Sequence, residues 1–297
     1  MAPTLVTGAT GFVGGHVVHA IRAADKDVRA LVRDPAKAER LRAWDVELVE
    51  GDMTDAASLE RAVAGCEAVV HLVAIRQGRR EQFQEIMVDG TRALLSAAAA
   101  ADVRRFVLMS ALGTSESTRT LVPYFGAKWE MEQQVRQSGI PHVIFRPSFI
   151  FARDGGILPT FVKLARFAPV TPIIGSGTQR IQPIWVDDVA EYFADSLGKE
   201  EATGRTFELG GPDAVTWNDF WERLKRVRRM RRPSVHVPVK LMRPAALVTE
   251  RLPGDVPLTN DLLTMLEHVD NVVTDTTAVD TFRLPLVRLD EQIRRAV

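Results

Sequence analysis

Two tyrosines occur in the 297-residue chain, and one of them, Tyr124, stands four places before Lys128 in VPYFGAKWEME. On a helix that spacing puts phenol and ammonium on one face. A phenol titrates near pH 10, so it exchanges protons poorly at neutral pH unless its anion is stabilised. Lowering it to about 7 requires roughly 4 kcal/mol. A cation about 4 Å away supplies that much at an effective dielectric of about 20, before desolvation subtracts. The pair therefore reads as a general acid/base device with Lys128 tuning Tyr124, or, more plainly, as a helix-surface Tyr and Lys with no chemical role. The single cysteine, Cys66, approaches a buried strand in AVAGCEAVVHLV and reads as core. The six histidines show no metal-ligand spacing, so no metal is expected.

A second group lies near the N-terminus. In LVTGATGFVGGHVVHAI, Gly8, Gly11 and Gly14 fall where a short apolar run turns into a helical pattern. Gly8 permits a tight turn, Gly11 lets a phosphate approach the backbone, and Gly14 lets helix pack on strand. The N–H groups near Thr10, Phe12 and Val13, together with the positive end of the helix, favour a pyrophosphate. The expected ligand is a dinucleotide. Arg33 follows Gly14 by 19 residues and ends the second strand pattern, LVRDP. A guanidinium there suits a 2′-phosphate, which favours NADP(H) over NAD(H); the alternative is a surface arginine paired with Asp34. Asp52, closing the third strand, either faces the adenine or caps the next helix.

These residues need a scaffold that gathers strand ends. β-Rich runs at 4–7, 27–32, 46–51, 67–74, 104–110 and 142–146 alternate with helical patterns, including PAKAERLRAW, QFQEIMVDGTRALLSAAAAA and YFGAKWEMEQQVRQSG. The expected fold class is α/β, a Rossmann-type doubly wound parallel sheet. A dinucleotide-binding domain is expected over 1–150, with a returning segment at about 180–210. Beyond Pro147 glycines and prolines interrupt the rhythm, and 151–297 reads as a smaller α+β substrate or partner lobe. There a helix at about 187–198, a strand at RTFELGG and a helix at TWNDFWERLKRV, capped by Thr216, are expected.

Composition narrows the function classes. Lys+Arg and Asp+Glu are both 38, so no global field recruits nucleic acid. Only a few residues precede the first strand, which leaves no room for a signal peptide. No apolar run approaches the roughly 18 residues of a membrane span. The expected location is cytoplasmic, with residues 223–252 as a candidate peripheral membrane or protein contact. Residues 223–232 hold seven basic side chains ahead of an apolar stretch. The plainer reading is a solvated helix end whose cations suit the dipole.

The motifs together resemble the short-chain dehydrogenase/reductase superfamily in its extended form. The matching stretches are GATGFVGG (8–15), GDMTD (51–55), VVHLVA (69–74), YFGAK (124–128), IFRPSFIF (144–151), PIWVDDVAEYF (183–193) and FELGGPDAVTW (207–217). Within it the chain is similar to an atypical branch containing the nucleotide-carrying accessory subunit of respiratory complex I and bacterial nucleoside-diphosphate-sugar epimerase-like relatives. The resemblance covers about residues 4–217. It implies that Tyr124 is the acid/base and that Lys128 binds the nicotinamide ribose. It also implies that Met53, Val73 and Ala74 join the cofactor-binding set, and that Pro147, Ser148 and Phe149 lie near the nicotinamide.

Two departures thin the catalytic set. Ser110, the candidate helper hydroxyl, stands at the strand end and is followed by Ala111 and Leu112. Met87 takes the place of an asparagine often found three residues before Gly90. The expected function is an oxidoreductase or epimerase-like enzyme moving a hydride between NADP(H) and a small carbonyl or sugar-nucleotide substrate. The rival is a protein that holds NADPH without turnover. Arg180, Gln182, Trp185 and Arg205 are candidates to meet an anionic or sugar-like substrate, with structural roles equally open.

Overall fold

The computed structural model describes residues 2–167, 169–250 and 258–297. It divides into two compact units. The first comprises Met1–Pro147, Val186–Leu209 and Asp275–Leu284. Its strands are β1 (Thr4–Thr7), β2 (Val28–Val32), β3 (Glu47–Glu50), β4 (Ala68–His71), β5 (Arg105–Met109), β6 (His142–Pro147) and a seventh, Arg205–Leu209. All pair parallel, in the order seventh–β6–β5–β4–β1–β2–β3. The chain runs outward from β1 to β3, then returns to lay β4 on the other side of β1. That reversal opens a crevice at the carboxyl ends of β1 and β4, where ligands of such sheets bind. β1 and β4 are buried along their whole length, as central strands covered on both faces must be.

Helix α1 (Phe12–Ala23) buries Val13, Val17, Val18, Ala20 and Ile21, the apolar stripe legible in the sequence. The helix expected over PAKAERLRAW is instead a 3₁₀ turn, Pro35–Lys37, and a single helical turn, Glu39–Arg42. Asp34 caps the 3₁₀ turn by accepting from the Ala36 N–H, and Pro35 sits at its start, so the local bonds favour a tight turn. In the fourth crossover, Phe83–Asp89 winds as a π-helix before the α-helix Gly90–Ala100. A Cβ on Gly90 would approach the Met53 carbonyl oxygen to 3.0 Å, so this helix rests on the loop after β3.

Beneath the other half of the sheet, the helix Pro123–Gln137 carries the fully buried carboxylate of Glu132. It accepts from Arg146 Nε and Nη2 at 2.8 and 2.6 Å and from Arg136 Nη2 at 2.8 Å. These two guanidiniums hold Glu132 below the usual carboxylate range against the cost of burial. Nearby, Phe145 meets Tyr192, Phe193, Phe207 and Phe282 with ring centroids 4.8–6.0 Å apart.

The second unit comprises Ser148–Trp185, Gly210–Thr274 and Pro285–Val297. Among the described residues it has three two-stranded pairs and helices that include Leu158–Phe167, Trp217–Val227, Val239–Thr249 and Asn260–His268; the lobe expected over 151–297 is interrupted, since Val186–Leu209 and Asp275–Leu284 belong to the first unit. Thr216 caps the Trp217 helix as expected, its hydroxyl accepting from the Asp219 N–H at 3.1 Å. Phe161 packs on Trp217, Phe220 and Trp221 at 5.3–5.4 Å.

Candidate functional site

The glycine turn is built by backbone crowding. Gly8 has φ +76°, a left-handed conformation that glycine tolerates. A Cβ on Gly8 would meet the Val73 N at 3.1 Å, so the turn lies against the chain leaving β4. A Cβ on Gly14 would lie 2.0 Å from the Gly8 carbonyl oxygen, an impossible distance, and one on Gly11 would lie 3.1 Å from the same atom. Gly11 occupies the cap position of α1 with no side-chain cap, and the first turn holds no acid. The N–H groups of Phe12, Val13 and Gly14 therefore have neither an intrahelical acceptor nor a capping side chain. Thr10 and Gly11 are exposed at the tip. A cradle that side chains would fill, at an uncapped helix start, fits a diphosphate.

The flanking residues divide. Arg33 is exposed just beyond β2, and among the described residues it makes no ion pair. Asp34 does not pair with it: that carboxylate accepts from the Ala36 N–H and lies 3.1 Å from Lys37. The surface-pair alternative for Arg33 is thus set aside. Asp52 does not cap the following helix, because Asp55 does so, accepting from the Ala57 N–H. Asp52 instead accepts from the Thr54 N–H and hydroxyl at 3.0 and 2.9 Å. Met53 is buried in the core, while Val73 and Ala74 are partly buried against it.

The Tyr124–Lys128 pair sits at the same strand ends. Lys128 is fully buried and donates from Nζ to the Met109 carbonyl at the end of β5, 2.6 Å away. Its ammonium stands 5.9 Å from the Tyr124 ring centroid. Burial brings the Lys128 pKa down to about 7, with Glu132 opposing. The expected lowering of Tyr124 does not occur: burial pushes its phenol up to about 12, and the cation that opposes this is Arg76, not Lys128. The ammonium is spent on a carbonyl, and removing the phenol from water costs its anion more than the nearby charges return. Ser110 is buried; its hydroxyl lacks a well-formed hydrogen bond and helps keep Glu132 ionised.

His71, which sequence reasoning passed over inside VVHLVA, joins the two groups. It is fully buried at the end of β4, between Thr7 Oγ1 at 2.6 Å and Thr91 Oγ1 at 3.0 Å. Thr91 gives its hydroxyl proton to the Met87 carbonyl. The imidazole therefore donates from Nε2 to Thr91 and accepts at Nδ1 from Thr7. Burial, assisted by the Lys128 charge, brings the His71 pKa down to about 3 and keeps it neutral. Thr7, His71 and Leu108 lie side by side in register, so β1, β4 and β5 present the glycine turn and the Tyr–Lys pair within about 10 Å of sheet width.

Other candidates settle elsewhere. Pro147 ends β6, its carbonyl accepting from the Leu112 N–H at 2.9 Å. Ser148 and Phe149 belong to the second unit, where the Ser148 hydroxyl and the Phe149 N–H both donate to Asn271 Oδ1; no sequence signal marked Asn271. The four substrate candidates have structural partners. Arg180 pairs with Asp270, Gln182 bonds Gly211 O and the Val273 N–H, Trp185 is buried, and Arg205 donates to Thr281. Part of the basic run is also engaged. Arg223 pairs with Asp213 and Asp290, buried Lys225 pairs with Glu222, and Arg232 donates to the Ala165 carbonyl. Arg226, Arg229 and Arg231 are exposed, and residues 251–252 of the candidate contact lie outside the described residues.

The NAD(P)H-binding family matches residues 8–198, more than half of the chain and inclusive of the glycine turn and the Tyr–Lys pair. The chain belongs to that family. Within its reach lies the ceramide reductase of Caulobacter vibrioides, 34% identical over 186 residues, 62% of this chain and 57% of the relative. So does the mitochondrial NADH dehydrogenase [ubiquinone] 1 alpha subcomplex subunit 9 of Mus musculus, 30% identical over 217 residues, 70% of this chain and 56% of the relative. The matched stretch thus spans under two thirds of either relative's length. The NADPH-dependent quinone oxidoreductase of Escherichia coli, solved with NADPH, superposes with a TM-score of 0.79 over 98% of both chains at 22% identity, a likeness of fold. The fold is that of NAD(P)-binding proteins.

Proposed function

We propose that this chain is an NADP(H)-dependent reductase acting on a small carbonyl compound, with Tyr124 as the proton donor. The observation that carries the reading is the placement of Tyr124 and Lys128, four apart on the helix Pro123–Gln137 with Lys128 bonded to the end of β5, at the strand ends beside the glycine turn. A phenol raised to about 12 keeps its proton at neutral pH. In that state it can only give a proton, and only to an oxygen that becomes more basic than the phenolate as it gains negative charge. The fit of the cofactor rests on the cradle that Cβ atoms at Gly8, Gly11 and Gly14 would fill. The uncapped N–H groups of Phe12, Val13 and Gly14 would hold its diphosphate, with Thr10 at the exposed tip, and Arg33 its 2′-phosphate. Val73 and Ala74, leaving β4 beside the turn, would line its path. Lys128 would hold the ribose hydroxyls while keeping its bond to the Met109 carbonyl. When bound, the reduced nicotinamide supplies a hydride. The protein's own part is to orient it, exclude water and deliver the Tyr124 proton.

Replacement of Tyr124 by Phe tests the proposal. Turnover of a carbonyl panel, followed by loss of reduced-nicotinamide absorbance, should fall about 100- to 10,000-fold, while calorimetric NADPH binding is retained. The buried Ser110 hydroxyl, which leans on Glu132, favours one second reading, a protein that holds NADPH without turnover. Equal or absent turnover in both proteins, with NADPH binding intact, would select it. Epimerisation of a sugar nucleotide would appear as retained cofactor with no net NADPH consumption.

A further inference from the structure

The second unit contains a cavity that neither the glycine turn nor the Tyr–Lys pair uses. Its lining is Phe149, Ile157, Phe161, Pro172, Ile174, Trp217, Trp221, Leu258, Leu262 and Leu266, with Gln179 as the one polar member among the described residues. The Gln179 amide is committed to the Leu266 carbonyl at 2.7 Å. Among the described residues no lining side chain bears a charge, so none of them meets the phosphates of a sugar nucleotide. Leu262 and Leu266 stand four apart on the helix Asn260–His268 and so share one face, and Leu258 joins the lining from the chain just before that helix. All three are only half-buried, as are Phe149, Ile157, Phe161, Pro172 and Ile174. A wall of half-buried apolar side chains is covered when an apolar ligand enters. The enclosed space, about 70 Å³, is room for two or three water-sized groups. A slender chain end fits it and a pyranose does not.

The neighbouring helix points to the same chemistry. Val239–Thr249 pairs with the cavity helix through Arg243 and Glu267 at 2.6 Å, and its Thr249 hydroxyl donates to the Leu258 carbonyl just before that helix. It leaves Leu241, Leu247 and Val248 exposed at 68%, 52% and 61%. Lys240 is exposed on the same helix, and Arg226, Arg229 and Arg231 are exposed just before it in the chain. Apolar side chains flanked by cations suit the surface of an anionic amphiphile.

We propose that this cavity of the second unit binds the end of a hydrocarbon chain. The inference stands apart from the reductase reading. Its test reads binding alone. Trp217 and Trp221 line the cavity, so their fluorescence should respond saturably to ethanol, 1-propanol, 1-butanol and 1-decanol added to the NADPH-loaded protein. Affinity should tighten about fourfold per added methylene from ethanol to 1-butanol and then level off as the cavity fills. Trp217→Phe should remove most of the signal, Ile174→Phe should weaken 1-decanol at least tenfold by filling the space, and Leu262→Asp should do so by charging it. NADPH binding should be unchanged in all three. Binding independent of chain length from ethanol to 1-butanol, or 1-decanol affinity unchanged in the Ile174→Phe and Leu262→Asp proteins, would overturn the proposal. So would fluorescence displacement by UDP-glucose. Loss of NADPH binding in every form would strike the reductase reading and leave the chain site standing. Sedimentation with phosphatidylglycerol vesicles, abolished by Leu241→Asp with Leu247→Asp, would identify a bilayer as the chain's source. Binding of dispersed 1-decanol without vesicle binding would identify a free amphiphile.

Discussion

Tyr124 and Lys128 are shaped by burial more than by each other. Lys128 falls from 10.5 to about 7. Between those values the unfolded chain holds a proton that the folded chain lacks, so folding stability gained from this group rises with pH from about 7 to about 10.5. The slope is at most about 1.4 kcal/mol per pH unit. Lys128→Met should flatten that rise, measured by urea unfolding across the window. His71 acts at the acid end. It titrates at about 3 instead of 6.5, and in that interval the unfolded chain takes up a proton that the folded chain refuses. Stability therefore falls as pH drops from 6.5 toward 3. A His71→Asn protein should lose less stability over that interval, and equal acid sensitivity in the two would refute the assignment. The Tyr–Lys spacing was legible in the sequence because a helix places i and i+4 together. The direction of the phenol's shift was not, because desolvation depends on what the fold packs around the ring.

At the scale of elements, the turn between β1 and α1 is the most demanding piece of backbone. Gly14→Ala would put a methyl group against the Gly8 carbonyl, and the turn or the helix must move. NADPH binding should fall below calorimetric detection and the melting temperature should drop. Gly198→Ala, where a Cβ meets nothing within 4 Å, should leave both unchanged. Arg33→Ala should erase a preference for NADPH over NADH and leave NADH affinity alone. This region was readable in advance because a glycine pattern between a strand and a helix has few backbone solutions. PAKAERLRAW was misread as a helix because Asp34 and Pro35 take the local hydrogen bonds into a 3₁₀ turn, which periodicity alone does not weigh. The π-wound segment Phe83–Asp89 was likewise invisible: its apolar spacing is helical, and the wider winding is set by packing.

Across the whole molecule, the alternation of strands and helices announced the sheet, and the break after Pro147 announced a change of architecture. Contacts between residues distant in the chain were not legible, and Glu132 is the sharpest instance. Nothing in KWEMEQQV says that this glutamate, and not Glu130, is enclosed by Arg146 from β6 and Arg136 from its own helix. Glu132→Gln would leave two guanidiniums short of their counter-charge in a buried setting. It should cost about 3–5 kcal/mol in denaturant unfolding, whereas Glu130→Gln, on an exposed position, should cost under about 0.5 kcal/mol.

The seventh strand, Arg205–Leu209, bonds to β6 along its full length, yet 57 residues separate the two in the chain. On the ribosome, at about 5–20 residues per second, β6 emerges roughly 3 to 11 s before its outer neighbour exists. For that interval the nascent sheet ends in a bare row of N–H and C=O groups, backed by the Phe145 ring that later meets Phe193 and Phe207. An unpaired edge of this kind invites pairing with another chain, so release of the polypeptide near residue 150 should yield aggregates and not a soluble nucleotide-binding half.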